Sequence, residues 1–549
     1  MINKKYKVKI PTKKGIIIVG QYVYFYTKTF WNKETKHTDD NRVTIGRKSD
    51  EEGYMYPNDR FFEFFDDALD EAPIVDDYLK VGPYLATKAV SDKIGLTIAL
   101  DKSFPDLSDN IIALSAFAIT MGDLTAQHYD NFAFSYFSGL STSLSSGTIS
   151  KLYRQIKTSD RENFYKRYIE EYRKAFKVDE NKRKMVLAID GTNRNTSSKD
   201  MVDAEYGHSK KKSNSPQVNT TYYVDELTGI PLYQEEFYGS LLDKSELSYM
   251  VKKSSELGFD DIITVLDRGY YSQDNIDILK DFEFILSVPE TVNYVKELFK
   301  KEQGIKMNRN NYIHQENAYG IKVKLLEELS PSLKGYFAYI YYDPVRGIEE
   351  IDSINNKIER FKLDIAMHKH LSPKLFAKYG KFFTFTETDE NKHYFTYEEN
   401  KDVIQEAIDK AGMFLVISNI DDTPSRILTL ERCRDKAEKC FYRMKTTFDY
   451  DAIRVYSNEA KEGKDLVAFV ATSICQGLQY FLSPYLKQVT SRTLFTCLSL
   501  LSKIIVYKDK IGHWKLRYAL SKQQKEILKL LGIKENEIVK EINDVFNGK

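Results

Sequence analysis

Met185-Val-Leu-Ala-Ile-Asp-Gly191 is a short apolar run closed by a carboxylate and a glycine. Such a run, bounded by a turn signal, reads as a strand buried on both faces. The same texture returns in Asp261 to Leu266, which ends in Asp267-Arg-Gly, in Phe282 to Val288, and in Met413 to Ser418. Between the first two lie the extended runs Asn219 to Asp225 and Pro231 to Tyr238, joined by Glu-Leu-Thr-Gly, a turn that makes them a hairpin. Helical spacing then predicts helices over Lys244 to Leu257 and Asp274 to Lys280. Three meandering strands followed by alternating helices and strands predict an α/β core: a mixed sheet with helices on its faces.

Outward from this core the texture changes. Ile16 to Trp31 and Val43 to Gly46 are β-branched and aromatic, and predict a small β-hairpin domain over residues 1–58. Residues 59–180 carry apolar side chains at helical spacing, with Ser145 or Ser146 as an N-cap, and predict a helical domain. The first part of the core spans 181–289. An insertion follows over 290–410, with strands at Lys322 to Leu326 and Tyr336 to Tyr342 and a charged helix near Ile348 to Leu363. The second part, 411–460, contains Met413 to Ser418 and a long helix opened by Pro424 and running to about Thr446. Residues 461–549 read as a C-terminal helical region, with helices at Leu466 to Leu482 and Leu494 to Val506.

A chain of 549 residues exceeds one ordinary hydrophobic core, so several domains are expected. An apolar content of 42%, with 39 Tyr and 32 Phe, excludes a disordered chain. The four cysteines form no Cys-x-x-Cys pair, which fits a reducing compartment and argues against a zinc finger. The N-terminus lacks the apolar segment of a secretory signal, and Ile111 to Met121 and Leu466 to Leu482 are too short or too polar to span a bilayer. A cytoplasmic protein without a membrane partner is the expectation. The net charge of +1 argues against a nucleic-acid binder that relies on overall basicity, so any such role rests on segregated charge, as in the run Lys210, Lys211 and Lys212 or the Lys-rich tail from Lys487. For each such cluster a solvated charged surface is the competing reading.

Asp190 and Asp267 each close a predicted buried strand, on the edge where α/β sheets gather ligands. One such Asp commonly caps a turn, but two on one sheet edge make a candidate site for a hard divalent cation, which prefers oxygen ligands. On the helix after Pro424, Arg434 and Glu438 are four apart and Lys445 is seven further on, which gives the three one helical face. An exposed ion pair is the alternative for that spacing. His368 and His370, two apart, do not share a helical face and are not taken as metal ligands.

Together, Ala-Ile-Asp190-Gly-Thr, Val-Leu-Asp267-Arg-Gly-Tyr and Arg434-(three)-Glu438-(six)-Lys445 resemble the three catalytic blocks of the DDE insertion-sequence transposases, in the group called insertion sequence four. The stretches Ala204-Glu-Tyr-Gly-His-Ser-Lys, Pro216-Gln217, Gly229-Ile-Pro-Leu232, Tyr238-Gly-Ser with Asp243, and Ala411-Gly-Met-Phe-Leu-Val-Ile-Ser-Asn are similar to that family as well. The likeness covers roughly Met185 to Thr472. That group's last block begins with a tyrosine, whose position is held here by Glu431.

The resemblance implies an RNase H-like catalytic core and cut-and-paste DNA transposition, with Asp190, Asp267 and Glu438 as catalytic residues and metal ligands. Two Mg2+ ions are the implied cofactor, with Mn2+ as a substitute. Arg434 and Lys445 are implied contacts to the DNA backbone. Arg268 is a further candidate, with pairing to a neighbouring carboxylate as its other reading, and the Lys210 to Lys212 loop is one against a plain solvated loop. Double-stranded DNA, as terminal inverted repeats and as target, is the implied partner, read by the N-terminal domains and bound by a homodimer. The alternatives are a metal-dependent DNA nuclease on the same fold and a catalytically silent DNA-binding regulator.

Overall fold

A computed structural model describes residues 7–12, 14–32, 36–61, 64–65, 78–207, 215–259, 261–325, 333–368, 370, 372–387, 395–509 and 513–546. Contacts divide the chain into two compact units, residues 1–78 with 507–513, and residues 79–506 with 514–549.

In the first unit the expected hairpin is part of a larger sheet. Strands β1 (Val8–Lys9), β2 (Ile16–Val19), β3 (Tyr22–Asn32), β4 (His37–Lys48) and β5 (Tyr54–Pro57) lie in the order β1-β5-β4-β3-β2. Every pairing is antiparallel. Val23, Ile45 and Met55 of the sheet and Phe61 of the turn after it are fully buried in one cluster. One hairpin has too little apolar face to be stable alone, and the added strands supply it.

The second unit begins at Leu79, within β6 (Tyr78–Lys80), and continues with the helices α1 (Gly82–Lys93), α2 (Leu96–Ser103), α3 (Ser108–Met121), α4 (Tyr129–Ser135), α5 (Ser146–Gln155) and α6 (Thr158–Ala175). Ser145 caps α5, its hydroxyl accepting from the Thr148 amide, so the first of the two expected caps is the one used. Among the described residues the centre of this unit is a ten-stranded mixed sheet. Its first half is β7 (Met185–Thr196), β8 (Gln217–Asp225), β9 (Pro231–Tyr238), β10 (Ile262–Leu266) and β11 (Glu283–Val288), in the spatial order β9-β8-β7-β10-β11. The strands β7, β8 and β9 pair antiparallel, whereas β10 runs parallel to β7 and β11 parallel to β10. Helices α7 (Asp243–Glu256) and α8 (Gln273–Leu279) make the crossovers that parallel neighbours require. The Glu-Leu-Thr-Gly turn forms as expected: Gly229 takes φ +71°, and the buried Asp225 carboxylate accepts from the Thr228 amide and hydroxyl.

Strands of the expected insertion lengthen this sheet. After α9 (Asn293–Lys301), β12 (Tyr312–Ile313), β13 (Ala318–Lys324) and β14 (Phe337–Tyr342) pair in sequence, and β14 lies antiparallel to β17 (Met413–Ser418), itself antiparallel to β11. The rest of the insertion, α10 (Pro344–Ala366), α11 (Pro373–Tyr379), β15 (Phe383–Glu387), β16 (Phe395–Glu399) and α12 (Lys401–Lys410), packs around its own core of Ile358, Ile365, Leu375, Tyr379 and Phe383.

The single helix expected from Pro424 to Thr446 is three pieces: α13 (Pro424–Glu431), α14 (Arg434–Tyr442) and a π-turn over Arg443–Thr447. Between α13 and α14 the amides of Cys433, Asp435 and Lys436 bond three residues back rather than four, so the chain tightens there. Arg432 fixes the joint from outside, donating to Glu316 at 2.9 Å and to Asp343 at 2.8 Å. Beyond β18 (Ala452–Ile453), which pairs with the end of β7, α15 (Asn458–Phe481) is buried from Gly463 to Leu478. It packs on α1, α3, α5 and β9, so the helices of residues 79–180 and the start of the C-terminal region share one core. Among the described residues no helix is long and apolar enough to cross a membrane.

Candidate active site

The register of β7 and β10 brings the first two acids together. Ile189 stands opposite Leu266 in a parallel pair, so Asp190 and Asp267 follow at the next step on neighbouring strands. The two strands differ beyond that point. β10 ends at Leu266, whereas β7 continues to Thr196, so Asp190 sits inside its strand rather than at its end. The half-buried Asp190 accepts from the Gly191 amide at 2.8 Å through Oδ1.

The third element arrives from above. Asp267, Ser287, Glu290, Glu431, Arg434 and Glu438 line one cleft of about 330 Å³, together with Arg268 and Arg346. Glu438 is exposed on α14, one turn beyond Arg434. The Arg434 guanidinium pairs with Asp267. Burial works against its charge but is outweighed by Asp267, then Glu431, Asp190 and Glu438, so its pKa is raised. All three sequence-predicted acids therefore act on a single guanidinium, joined by a fourth.

That fourth is Glu431, the residue at the family's tyrosine position. Its carboxyl is 9% exposed and accepts from the Ser287 hydroxyl at 3.3 Å. Burial pushes its pKa up, against the pull of Arg434. Glu290, on the chain just after β11, is likewise raised, first by burial and then by Glu350, with Arg346 and Arg268 opposing. Arg346 reaches Glu350 at 2.7 Å and Glu290 at 3.8 Å and lies over the Phe414 ring.

The other sequence-predicted residues divide. Arg268 is exposed at the rim of the cleft, in a short turn after Asp267. Lys445, in the π-turn, donates to the carbonyl of Asn193 on β7 and does not line this cleft. Lys210, Lys211 and Lys212 lie outside the described residues. Glu290, Arg346 and Ser287 were not singled out in the sequence. The one signal for Glu290 is its place two residues beyond a predicted buried strand, close to where the two aspartates stand on theirs.

The family model of the transposase DDE domain matches residues 181–474, more than half of the 549-residue chain. The protein belongs to the transposase DDE domain family. Among solved structures it is similar to a cryo-EM structure of the piggyBac transposase synaptic complex with hairpin DNA, at 10% identity and a TM-score of 0.34, over 76% of this chain and 79% of that one. No curated protein matches the chain.

Carboxylate oxygens are the donors a hard divalent cation takes, so the chemistry of Asp190, Asp267 and Glu438 fits one. Their spacing is wider than a ligand set: among the described residues, no three His, Cys, Asp or Glu side chains are grouped closely enough to hold a metal ion.

Proposed function

We propose that this protein is a cut-and-paste DNA transposase of the insertion sequence four group, which cleaves DNA at the ends of an insertion sequence and joins those ends to target DNA. One observation carries the reading: two aspartates at adjacent steps of paired parallel strands, with Glu438 lining the cleft that Asp267 opens onto, inside the segment matched by the transposase family. The strand order β9-β8-β7-β10-β11, with three antiparallel strands followed by two parallel ones, supports an RNase H-like core.

In this reading Asp190, Asp267 and Glu438 would hold two magnesium ions, or manganese in their place, once drawn closer together than they stand in the structure. Such ions, when bound, activate an attacking oxygen and neutralise the leaving one in displacement at a phosphodiester. The chain's own contribution is charge and position. Arg434, kept charged by the acids around it, and Arg268 at the rim present guanidinium groups to the scissile phosphate. Lys445 ties the π-turn to β7 and so fixes where α14 holds Glu438, in addition to the backbone contact the family resemblance implies. Lys210, Lys211 and Lys212 are further proposed contacts to the DNA backbone. Two element ends must be joined in one event, so the DNA-bound form is a homodimer on terminal inverted repeats.

The test is a magnesium-dependent assay on duplex DNA carrying one element end and its flank, followed by strand transfer from a pre-cleaved end. Asp190→Ala, Asp267→Ala and Glu438→Ala are each expected to abolish both steps while leaving binding to the end DNA intact. Near wild-type cleavage by any of them removes that residue from the site. Hydrolysis without joining of the pre-cleaved end makes the protein a nuclease instead.

A further inference from the structure

Beside the candidate active site, the insertion opens a second and larger groove of about 650 Å³. The two hollows have a common wall, because Glu290 lines both. Four lysines, Lys296 of α9, Lys357 of α10, Lys381 between α11 and β15, and Lys410 of α12, face this groove, against Glu290, Glu350 and Glu406.

The acids are already paired at short range, whereas Lys296 acts on Glu406 only from beyond ion-pair distance and Lys357 and Lys381 form no ion pair with them. Glu406 is held by Lys410 at 2.5 Å, and Glu350 by Arg346 and by the Gly412 amide, both at 2.7 Å. Glu290 faces Arg346 at 3.8 Å. Among the described residues no carboxylate stands within ion-pair distance of Lys296, Lys357 or Lys381. All three are exposed. Moreover, Lys357 and Lys381 converge on one ring, their ammonium groups 5.1 and 5.3 Å from the centroid of Phe382. Each contact with the ring is weakly favourable and leaves the exposed ammonium group free to meet an anion as well.

We propose that this groove is a binding track for the phosphodiester backbone of DNA, continuous past Glu290 with the cleft of the acids, and that Lys296, Lys357 and Lys381 are its phosphate contacts. The inference rests on the DNA-processing reading and adds the path of the strand on one side of the reacting phosphate. A polyanion suits the site better than a single phosphate, because the lysines come from three separate segments along an open groove. Each neutralised phosphate releases condensed counterions, so such contacts are visible in the salt dependence of binding.

The experiment measures affinity for end DNA by fluorescence anisotropy at several salt concentrations, for the full chain and for a Lys296→Gln/Lys357→Gln/Lys381→Gln variant. Three phosphate contacts are expected to lower the slope of log affinity against log salt by about 2–3, with affinity falling at least tenfold at low salt. The matching triple Lys→Arg variant is expected to keep the slope, which separates charge from folding. Inorganic phosphate at millimolar concentration is expected not to displace DNA from the groove. An unchanged slope in the Gln variant while the wild type binds DNA overturns the groove alone, as does equal loss in the Gln and Arg variants or displacement by millimolar phosphate. Failure of the wild type to bind DNA overturns the underlying reading and the groove with it.

Discussion

Two clusters of charged side chains meet β7 within four residues of each other, at Asp190 and at Arg194. One is sealed and the other is open. In the sealed cluster Arg194 is fully buried, pairs with Asp465, donates to Glu236 and to the Thr220 hydroxyl at 3.0 Å each, and lies over the Tyr450 ring. Lys461, equally buried on α15, pairs with Glu236 and stands 3.7 Å from Asp465. Two cations thus meet two carboxylates out of reach of water. The low dielectric leaves its mark: burial, then Asp465, pushes the Glu236 pKa up, while Lys464 alongside is lowered to about 8 by burial. In the open cluster four carboxylates act on one guanidinium, and Glu438 is exposed on the cleft. Balanced, buried charge ties helix α15 to the sheet. An excess of acid facing a cleft is an arrangement suited to receiving cations and phosphates.

The comparison breaks most sharply at Arg194. Replacing it with Met leaves buried carboxylates without their main partner, and the expected loss is about 3–5 kcal/mol of stability, read as a lower urea midpoint. A midpoint equal to the wild type would mean that the sealed cluster does not hold the unit together. The open cluster is expected to behave in the opposite way. Asp190→Asn or Asp267→Asn should lower DNA cleavage by roughly 10²–10³-fold, about 3–4 kcal/mol in the barrier, with the urea midpoint within about 1 kcal/mol of wild type. A large stability loss in these variants would make the two clusters alike and structural.

The same contrast explains what was legible in the sequence. Met413–Ser418 has the bounds its composition indicated, because a buried strand is written as an uninterrupted apolar run. Asp190 and Asp267 were singled out as the ends of predicted strands and Glu438 by the block spacing, yet β7 runs on past Asp190 to Thr196. Elements built on buried charge were not. β7 continues through Thr192, Asn193, Arg194 and Asn195, residues that read as a loop until a partner 271 positions away satisfies Arg194. Helix α15 was expected to start at Leu466, yet its first turns, with Lys461, Lys464 and Asp465, are buried too. The joint between α13 and α14 has the same origin. Arg432 and Cys433 are compatible with a continuous helix, and the tightening accompanies ion pairs to Glu316 and Asp343 that no local pattern announces.

Glu431 lies on the boundary between the two behaviours, buried like the sealed cluster yet facing the open one. Its folded-state pKa is raised above the ordinary carboxylate value, chiefly by burial, so the native state binds its proton more tightly than the unfolded chain does. Below the ordinary glutamate range both states are protonated and the residue costs nothing. As pH rises through that range and on through the folded-state value, the unfolded chain releases the proton first, and stability falls by the cost of ionising a buried group. Gln at this position has no proton to lose and can still accept from Ser287. Glu431→Gln is therefore expected to raise Tm at pH 7 to 8, with the gain disappearing below about pH 4. A gain of equal size at both ends of the pH range would trace the effect to packing rather than to charge. A loss at neutral pH would show that the ionised carboxylate is needed to hold Arg434, and would move Glu431 from the sealed kind of charge to the open kind.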